Sequence, residues 1–249
     1  MRKTIPATRI VGVLAVVLAG CAPVYVPNVR NTPMFTKAGE AQMTVMYGTG
    51  DVDAQMAVAV TNNVALMGNY SYGNRNTDSL SQHDYHKHNY LEGAIGYYKN
   101  DGIFCFEVFL GYGKGTASSY GSYDIFSTPN PSLAKGTYTR TFLQPSFGFN
   151  KKIVHFAFTP RVSLVDFSEF SNANSSVKYD PSPKIFFEPA ATAKFNFMDN
   201  RFYGIVQVGL SVPVNGDVIY DYEGVTISTG LGLRLGGLHW TKDKPGNNQ

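Results

Sequence analysis

The chain has 249 residues, with 21 Lys or Arg against 18 Asp or Glu and a formal charge of +3. Three of the basic residues lie in the first twenty positions, so the remainder carries 18 charges of each sign. That balance gives no electrostatic basis for binding nucleic acid, and we expect no nucleic-acid partner. The 25 Gly, 16 Tyr and 17 Phe, with only 16% charged residues, favour an all-β chain over helices.

Residues 1–20 have the layout of a bacterial lipoprotein signal peptide. A positive region is followed by the apolar run Ile10 to Ala19, which at ten residues is too short for a membrane-spanning helix of roughly 20 residues. The run ends on Leu18-Ala19-Gly20-Cys21, small residues before a cysteine, which is typical of a lipobox. We predict removal of 1–20 and attachment of diacylglycerol and an N-acyl chain such as palmitate to Cys21, with no other cofactor. The alternative is an ordinary secretory signal.

The segment after Cys21 has no periodicity. Residues 22–39 contain three prolines, and we interpret 21–39 as a lipidated tether, with a plug inside a barrel as the alternative. Cys105 would then have no partner, so no internal disulfide is expected.

From Glu40 onward, apolar and polar residues alternate with a period of two, and no stretch of ten residues has a helical period. Ten strands are predicted, at about 40–48, 53–61, 64–74, 89–99, 103–115, 137–150, 153–168, 184–198, 201–214 and 222–238. Tight turns are predicted at 62–63, 100–102, 151–152 and 199–200. Long polar connections are predicted at 75–88, 116–136 and 169–183.

Short turns at one end and long loops at the other are typical of an outer-membrane β-barrel with periplasmic turns and external loops. We therefore predict one closed antiparallel up-and-down transmembrane barrel of about ten strands over 40–238, followed by a periplasmic tail at 239–249. Both termini would lie on the short-turn, periplasmic side. A lipid on Cys21 would then sit in the inner leaflet of the outer membrane.

Alternation alone leaves two orientations of the strand faces open. A soluble lipocalin-like barrel, held by its lipid, would point the apolar face inward around an apolar ligand, whereas a membrane barrel would point it toward lipid. The other face is rich in Gly and Ser and poor in charge, which favours the membrane orientation. Tyrosines near strand ends also fit an interfacial girdle: Tyr47, Tyr70, Tyr72, Tyr97 and Tyr112. Prolines interrupt three strands, where we expect bulges or local bends: Pro145, Pro160 and Pro189.

With the lipobox, the alternating strands and the ending Ser228 to Leu235, the chain resembles small outer-membrane β-barrel lipoproteins of Gram-negative bacteria with OmpA- or OmpX-type architecture. Ser228, Gly230, Leu233 and Leu235 look like the assembly signal of such barrels, although Leu235 is not aromatic. The resemblance implies outer-membrane lipid and the barrel-assembly machinery as partners. The stretch Tyr25 to Asn76 also looks like a group of barrel lipoproteins to which no activity is assigned.

The polar face carries the charges that would line the lumen: Glu92, Glu107, Glu188, Arg140, Arg161, Lys194 and Arg234. A barrel of about ten strands leaves little free bore, and buried charges must be paired. We therefore predict an ion-pair network that plugs the lumen, with a narrow channel for small solutes as the alternative. Removal of Arg161 or Glu107 should destabilise the barrel.

A histidine-rich stretch, Gln82 to His88, raises a metal site as a candidate. His83, His86 and His88 could bind Zn²⁺ or Cu²⁺, but their spacing matches no closed structural site, so a solvated loop is the preferred interpretation.

An enzyme at the external rim is the last alternative. Its candidate acids and bases would be Asp51, Asp53, Asp78, Asp84 and His83, whereas His155 lies at the other end and Cys105 is interpreted as a small luminal residue. No motif connects them, so we expect no enzyme. The preferred function is structural, in support of the envelope, or that of an accessory subunit of a larger outer-membrane complex. The long loops at 116–136 and 169–183 have a composition typical of partner-docking surfaces, with solvent-exposed loops that bind no dedicated ligand as the alternative.

Overall fold

The computed structural model describes residues 23–79, 82–121, 132–151, 153–172, 182–218 and 220–236. These residues form eleven β-strands: β1 (Ala41–Gly48), β2 (Asp51–Ala59), β3 (Val64–Ser79), β4 (Gln82–Asn100), β5 (Phe104–Gly121), β6 (Ser132–Asn150), β7 (Val154–Asn172), β8 (Lys184–Phe197), β9 (Phe202–Leu210), β10 (Val212–Pro213) and β11 (Val225–Leu235). Both β9 and β10 pair with β8, and only Ser211 separates them. They therefore act as one interrupted strand, and the barrel has ten strands. No helix among these residues is long and apolar enough to cross a membrane.

The sheet closes on itself. Consecutive strands pair antiparallel, β8 pairs with β9, and β11 pairs with both β9 and β1, from Ala41 opposite Leu235 to Gly48 opposite Ser228. The predicted closed antiparallel barrel is therefore confirmed. The tight turns also lie where the sequence predicts them. In the turn from β8 to β9, Met198, Asp199 and Asn200 all have positive φ, at 50°, 55° and 64°.

The wall is low on one side and high on the other. The low side is β11, β1 and β2, with 11, 8 and 9 residues. The high side is β3 to β7, in which β4, β6 and β7 each have 19 residues. Because neighbouring strands meet at the short turns, this difference appears at the opposite end, which we call the loop end.

The long loop predicted at 75–88 is wrong, since β3 continues to Ser79 and β4 begins at Gln82. Outward side chains in this upper part are polar and exposed, as at Asn74, Lys87 and Asn89. The apolar alternation therefore stops although the strands continue. Strands also extend into the loops predicted at 116–136 and 169–183, because β5 continues to Gly121, β6 begins at Ser132 and β7 continues to Asn172. The remaining parts of these loops, 122–131 and 173–181, lie outside the described residues.

The three strand prolines stand in one row across the wall. The β6–β7 ladder stops at Leu143 opposite Val162 and resumes at Phe147 opposite Phe158 without a change of register. Pro145 is thus opposite Pro160, and Pro160 pairs with Pro189 on β8. The bulges expected there are wrong. Prolines facing each other remove N–H groups from one step of the ladder, which opens a gap without adding a residue.

The apolar face of the barrel points outward. Val45, Leu91, Leu110 and Leu231 are 60%, 63%, 58% and 68% exposed. The five tyrosines expected in a girdle also face outward, at 39–64% exposure. Near the short turns, phenylalanines pack across strands on the same outer face, with ring centroids of Phe104 and Phe149 at 4.7 Å. This orientation is opposite to that of a lipocalin-like barrel around an apolar ligand.

Candidate functional site: the threaded lumen

The lumen is occupied by the chain's own N-terminal segment. Every residue from Pro23 to Phe35, hereafter the thread, is buried although none belongs to a wall strand. Its three prolines lack N–H groups, and its extended form needs no partner strand because wall side chains bind its main chain. The described residues of this segment therefore lie inside the barrel, where the plug interpretation of 22–39 places them.

The thread runs from the loop end to the short-turn end. At its start, the Val24 and Tyr25 N–H groups donate to the Asp221 carbonyl at 2.9 and 3.1 Å, in the connection before β11. At its end, the Phe35 ring packs on Tyr98 at 5.6 Å, and the chain turns into β1. The expectation that both termini lie at the short turns concerns residues 1–22 and 237–249, which lie outside the described residues. Pro23 lies at the loop end, whereas β11 ends at the short-turn end.

Four of the predicted luminal charges meet around the upper thread. Arg140 Nη2 is 2.5 Å from Glu92 Oε2, and Arg161 Nε is 2.8 Å from Glu188 Oε2. Arg161 Nη1 is also 4.0 Å from the second oxygen of Glu92. All four side chains are at most 1% exposed. Two acids and two bases thus balance each other inside the barrel, as buried charges require.

The thread adds polar groups that complete this arrangement, which we call the upper network. The Asn28 side-chain amide donates to Glu92 Oε1 at 2.8 Å. Its side-chain oxygen, Oδ1, accepts from Arg140 at 2.5 Å and from Arg161 at 3.0 Å. The Tyr25 hydroxyl donates to Glu188 Oε1 at 2.6 Å and accepts from Arg140 Nη1 at 3.1 Å. One amide and one phenol therefore connect all four wall charges.

Arg30 occupies the gap that the proline row leaves in the wall. By register Pro189 faces Leu210, where the β8–β9 ladder is interrupted. Pro189 has no N–H to donate, and the Leu210 carbonyl accepts from Arg30 Nη2 at 2.8 Å instead. The neighbouring Gly209 makes room, since a Cβ there would lie 2.9 Å from Arg30 Nη1. A proline in a closed wall thus serves to dock a luminal guanidinium.

Wall side chains hold the main chain of the thread in its middle and lower part. Gln207 acts as a two-point clamp, because its amide accepts from the Arg30 N–H at 2.8 Å and donates to the Arg30 carbonyl at 2.9 Å. Below it, main-chain atoms of the thread bind four wall side chains: Gln144 to the Asn31 carbonyl at 2.8 Å, Lys194 to Thr32 at 2.6 Å, Gln42 to Pro33 at 2.7 Å, and Glu107 to the Phe35 N–H at 3.1 Å. We call these four contacts the lower clamp.

Aromatic rings close the lumen around the start of the thread. Tyr25 packs on Phe186 and Tyr138, with centroids at 4.9 and 5.6 Å, and Phe167 packs on Tyr220 at 4.6 Å. In the connection before β11, the Glu223 N–H donates to the Tyr25 carbonyl at 2.9 Å. Burial, helped by the negative charge of Asp51 and opposed by Arg75, raises the pKa of the Glu223 carboxyl to about 7.

The structure distributes the seven predicted luminal charges over three places. Glu92, Arg140, Arg161 and Glu188 form the upper network. Glu107 and Lys194 belong to the lower clamp. Arg234 lies apart, its guanidinium 5.6 Å from the Tyr203 ring.

The thread residues and the clamping glutamines are the functional groups that the sequence analysis missed. The glutamines carry a detectable signal, because they occupy inward positions of the alternation where a wall residue needs a partner: Gln42, Gln55, Gln144 and Gln207. Residues 23–35 carry no comparable signal.

The other candidate sites are not assembled. His86 Nε2 and His88 Nδ1 are 2.7 Å apart, and the side chain of His83 lies outside the described residues. In the described part of the chain, no group of three or more His, Cys, Asp or Glu side chains could hold a metal ion.

Among the acids and bases considered for catalysis, those with described side chains each make a separate contact. Asp51 pairs with Arg75, and Asp53 accepts from the Val29 N–H at 3.3 Å. His155 bonds Asn196 at 2.8 Å near the short turns, and Cys105 is buried there against the Phe35 carbonyl at 3.7 Å. The side chains of Asp78 and Asp84, the signal peptide, Cys21 and the tail at 239–249 lie outside the described residues.

Comparison with known protein families and with curated protein sequences finds no match. Among solved structures, the barrel is similar to the translocator domain of the autotransporter NalP from Neisseria meningitidis. The two share 12% sequence identity with a TM-score of 0.40, over 79% of this chain and 86% of that one. The proposals below rest on the lumen and the outer face of this chain alone.

Proposed function

We propose that this protein is an outer-membrane β-barrel lipoprotein, closed by its own N-terminal segment, with a structural or accessory role in the cell envelope. The observation that carries this proposal is the thread, which fills the lumen and is bound by wall side chains from end to end. A barrel that holds its own peptide so completely is built to stay shut. We propose no catalytic role and no cofactor beyond the lipid on Cys21.

The outer face supports insertion in a membrane. Large apolar side chains point outward on both sides of the wall, and an exposed belt of this kind is unfavourable in water. The low-side strands β1, β2 and β11, with 8, 9 and 11 residues, are close to the 9–11 residues of a membrane-spanning β-strand. The high side then rises beyond the belt, and its polar outer surface supports an accessory role that contacts a larger outer-membrane complex.

The closed lumen argues against the narrow channel. Arg30, Arg140 and Arg161 are fully buried, and they are bonded to carboxylate, amide and carbonyl oxygens rather than lining a water-filled path. Conduction would need the thread to leave, which would break both the upper network and the lower clamp.

Two measurements test this proposal. The purified full chain should migrate differently in dodecyl sulfate with and without heating, and in a planar bilayer it should show no steady conductance. Asn28→Ala combined with Arg30→Ala, which removes the thread's two central polar side chains, should introduce transient openings. The matched control is Lys37→Ala, an accessible residue beyond the thread. The absence of a heat shift would refute the membrane barrel, and steady conductance of the unaltered chain would refute the plug.

A further inference from the structure

We infer that the N-terminus of the mature chain leaves the barrel at the external end, so that the lipid on Cys21 enters the outer leaflet of the outer membrane. This inference rests on the proposed function, because it needs the barrel in the membrane with its short turns toward the periplasm. It differs from the sequence expectation, which places the same lipid in the inner leaflet.

The direction of the thread is the first argument. Pro23 to Tyr25 lie at the loop end, where Val24 and Tyr25 bond to the connection before β11. Only Ala22 separates Pro23 from Cys21, so the two Cα atoms are at most about 7 Å apart. A lipid on Cys21 in the inner leaflet would need the chain to return across the whole membrane. That distance is too short for such a path.

The occupied lumen is the second argument. The thread is buried along its whole described length, so a second segment cannot pass beside it toward the short turns. The upper network also makes the lumen a poor environment for acyl chains, since its charges would lose hydrogen-bond partners to apolar groups. The lipid therefore stays on the side from which the thread enters.

The low side of the wall gives the lipid a route into the bilayer. The turn from β1 to β2 is the lowest part of the rim, and a Cβ at its Gly50 would lie 3.3 Å from the Val26 side chain. On the outer face of the same hairpin, Tyr47 is 64% exposed, as an interfacial aromatic residue would be.

The experiment compares three epitope insertions in otherwise complete chains: after Ala22, within the 173–181 connection, and in the turn at 62–63. Antibody binding to intact cells and to permeabilised cells reports the side of each tag. The inference expects the Ala22 tag and the loop tag on intact cells, and the turn tag only after permeabilisation. An Ala22 tag that behaves like the turn tag would overturn the inference while the proposed barrel stands.

If the loop tag and the turn tag behave alike, and the heat shift is absent, the proposed function itself fails. A variant without an insertion guards against misfolding of the tagged chains. Ala22→Cys should react with a membrane-impermeant maleimide on intact cells, whereas Cys105 is buried and should not. Incorporation of an alkyne fatty acid should depend on Cys21. If a Cys21→Ser chain, exported by an ordinary secretory signal, still incorporates the fatty acid, then Cys21 is not the site of acylation. That result would overturn the part of the inference that concerns the lipid.

Discussion

The upper and lower halves of the lumen hold the same peptide in different ways. In the upper half, side chains of the thread bind side chains of the wall, as Asn28 does with Glu92, Arg140 and Arg161. In the lower half, the wall binds the main chain, and the Thr32 hydroxyl has no hydrogen-bond partner among the described residues. The upper half therefore depends on which residues the thread contains. The lower half depends mainly on the main chain of the thread, to which the Asn31 amide adds one side-chain bond, to Asn69 Oδ1 at 2.8 Å.

The largest expected effect comes from removing one charge from each half. Arg161→Ala leaves Glu188 without its partner, and breaking a buried pair costs about 3–5 kcal/mol of unfolding free energy. Glu107→Ala removes one acceptor from the Phe35 N–H and should cost only about 1–3 kcal/mol. Urea unfolding in detergent, followed by the heat-dependent gel shift, measures both. Equal losses would show that the halves do not differ.

The sequence predicts the wall well and the thread poorly, for a physical reason. Alternation with a period of two is a local signal, and it places Glu92 and Glu188 on the inner face without knowledge of any partner. It fails above the membrane belt, where the outward residues Asn74 and Lys87 are polar and the strands look like loops. The contacts of Asn28 lie 64 to 133 residues away, so nothing near it in the chain indicates its role.

A second pair of variants tests the thread's own side chains. Asn28→Ala removes hydrogen bonds to three charged groups, and one such bond is worth about 1.5–3 kcal/mol. Thr32→Ala removes a hydroxyl without a partner together with one buried methyl group, and should cost no more than about 1 kcal/mol. Midpoints of thermal unfolding in detergent compare the two. A Thr32→Ala loss as large as that of Asn28→Ala would contradict the contrast between the halves.

The lower half should respond instead to changes in the wall. Gln144→Ala leaves the buried Asn31 carbonyl without its donor, at a cost of about 1–3 kcal/mol. Gln144→Met, of nearly the same size, also removes the donor and should not restore stability. Urea midpoints of both variants give the measurement. Recovery in Gln144→Met would mean that side-chain volume, rather than the hydrogen bond, is what matters at this position.

A smaller effect is expected at the proline gap, and its size should depend on whether Arg30 is present. Pro189→Ala returns an N–H that competes with Arg30 for the Leu210 carbonyl, so in the unaltered chain it should bring little gain. In an Arg30→Ala background the same change should stabilise the barrel, because the carbonyl regains a donor. A double-mutant cycle measures this coupling. Strict additivity would exclude docking of Arg30 in the gap.

The smallest expected effect is a pH dependence confined to the loop end. Because the folded pKa of Glu223 is raised to about 7, its protonated form favours the closed arrangement, and this contribution is lost as the pH rises through 7. Amide hydrogen exchange at Tyr25 should therefore speed up between pH 4.5 and about pH 7 beyond the ordinary base-catalysed increase, and follow that increase alone at higher pH. Exchange at Phe35 should not, and Glu223→Gln should abolish the difference. An unchanged difference in Glu223→Gln would assign it to another group.

The direction of the thread also determines how the peptide can be lost. A chain with a free N-terminus could slip out through the short-turn end without parting a single strand pair, so its retention would be a matter of equilibrium occupancy. A chain with acyl groups beyond the loop end could not, because they would have to be dragged through the charged lumen. Release would then require opening of the seam between β1 and β11, and the lifetime of the threaded state becomes a property of the unfolding rate.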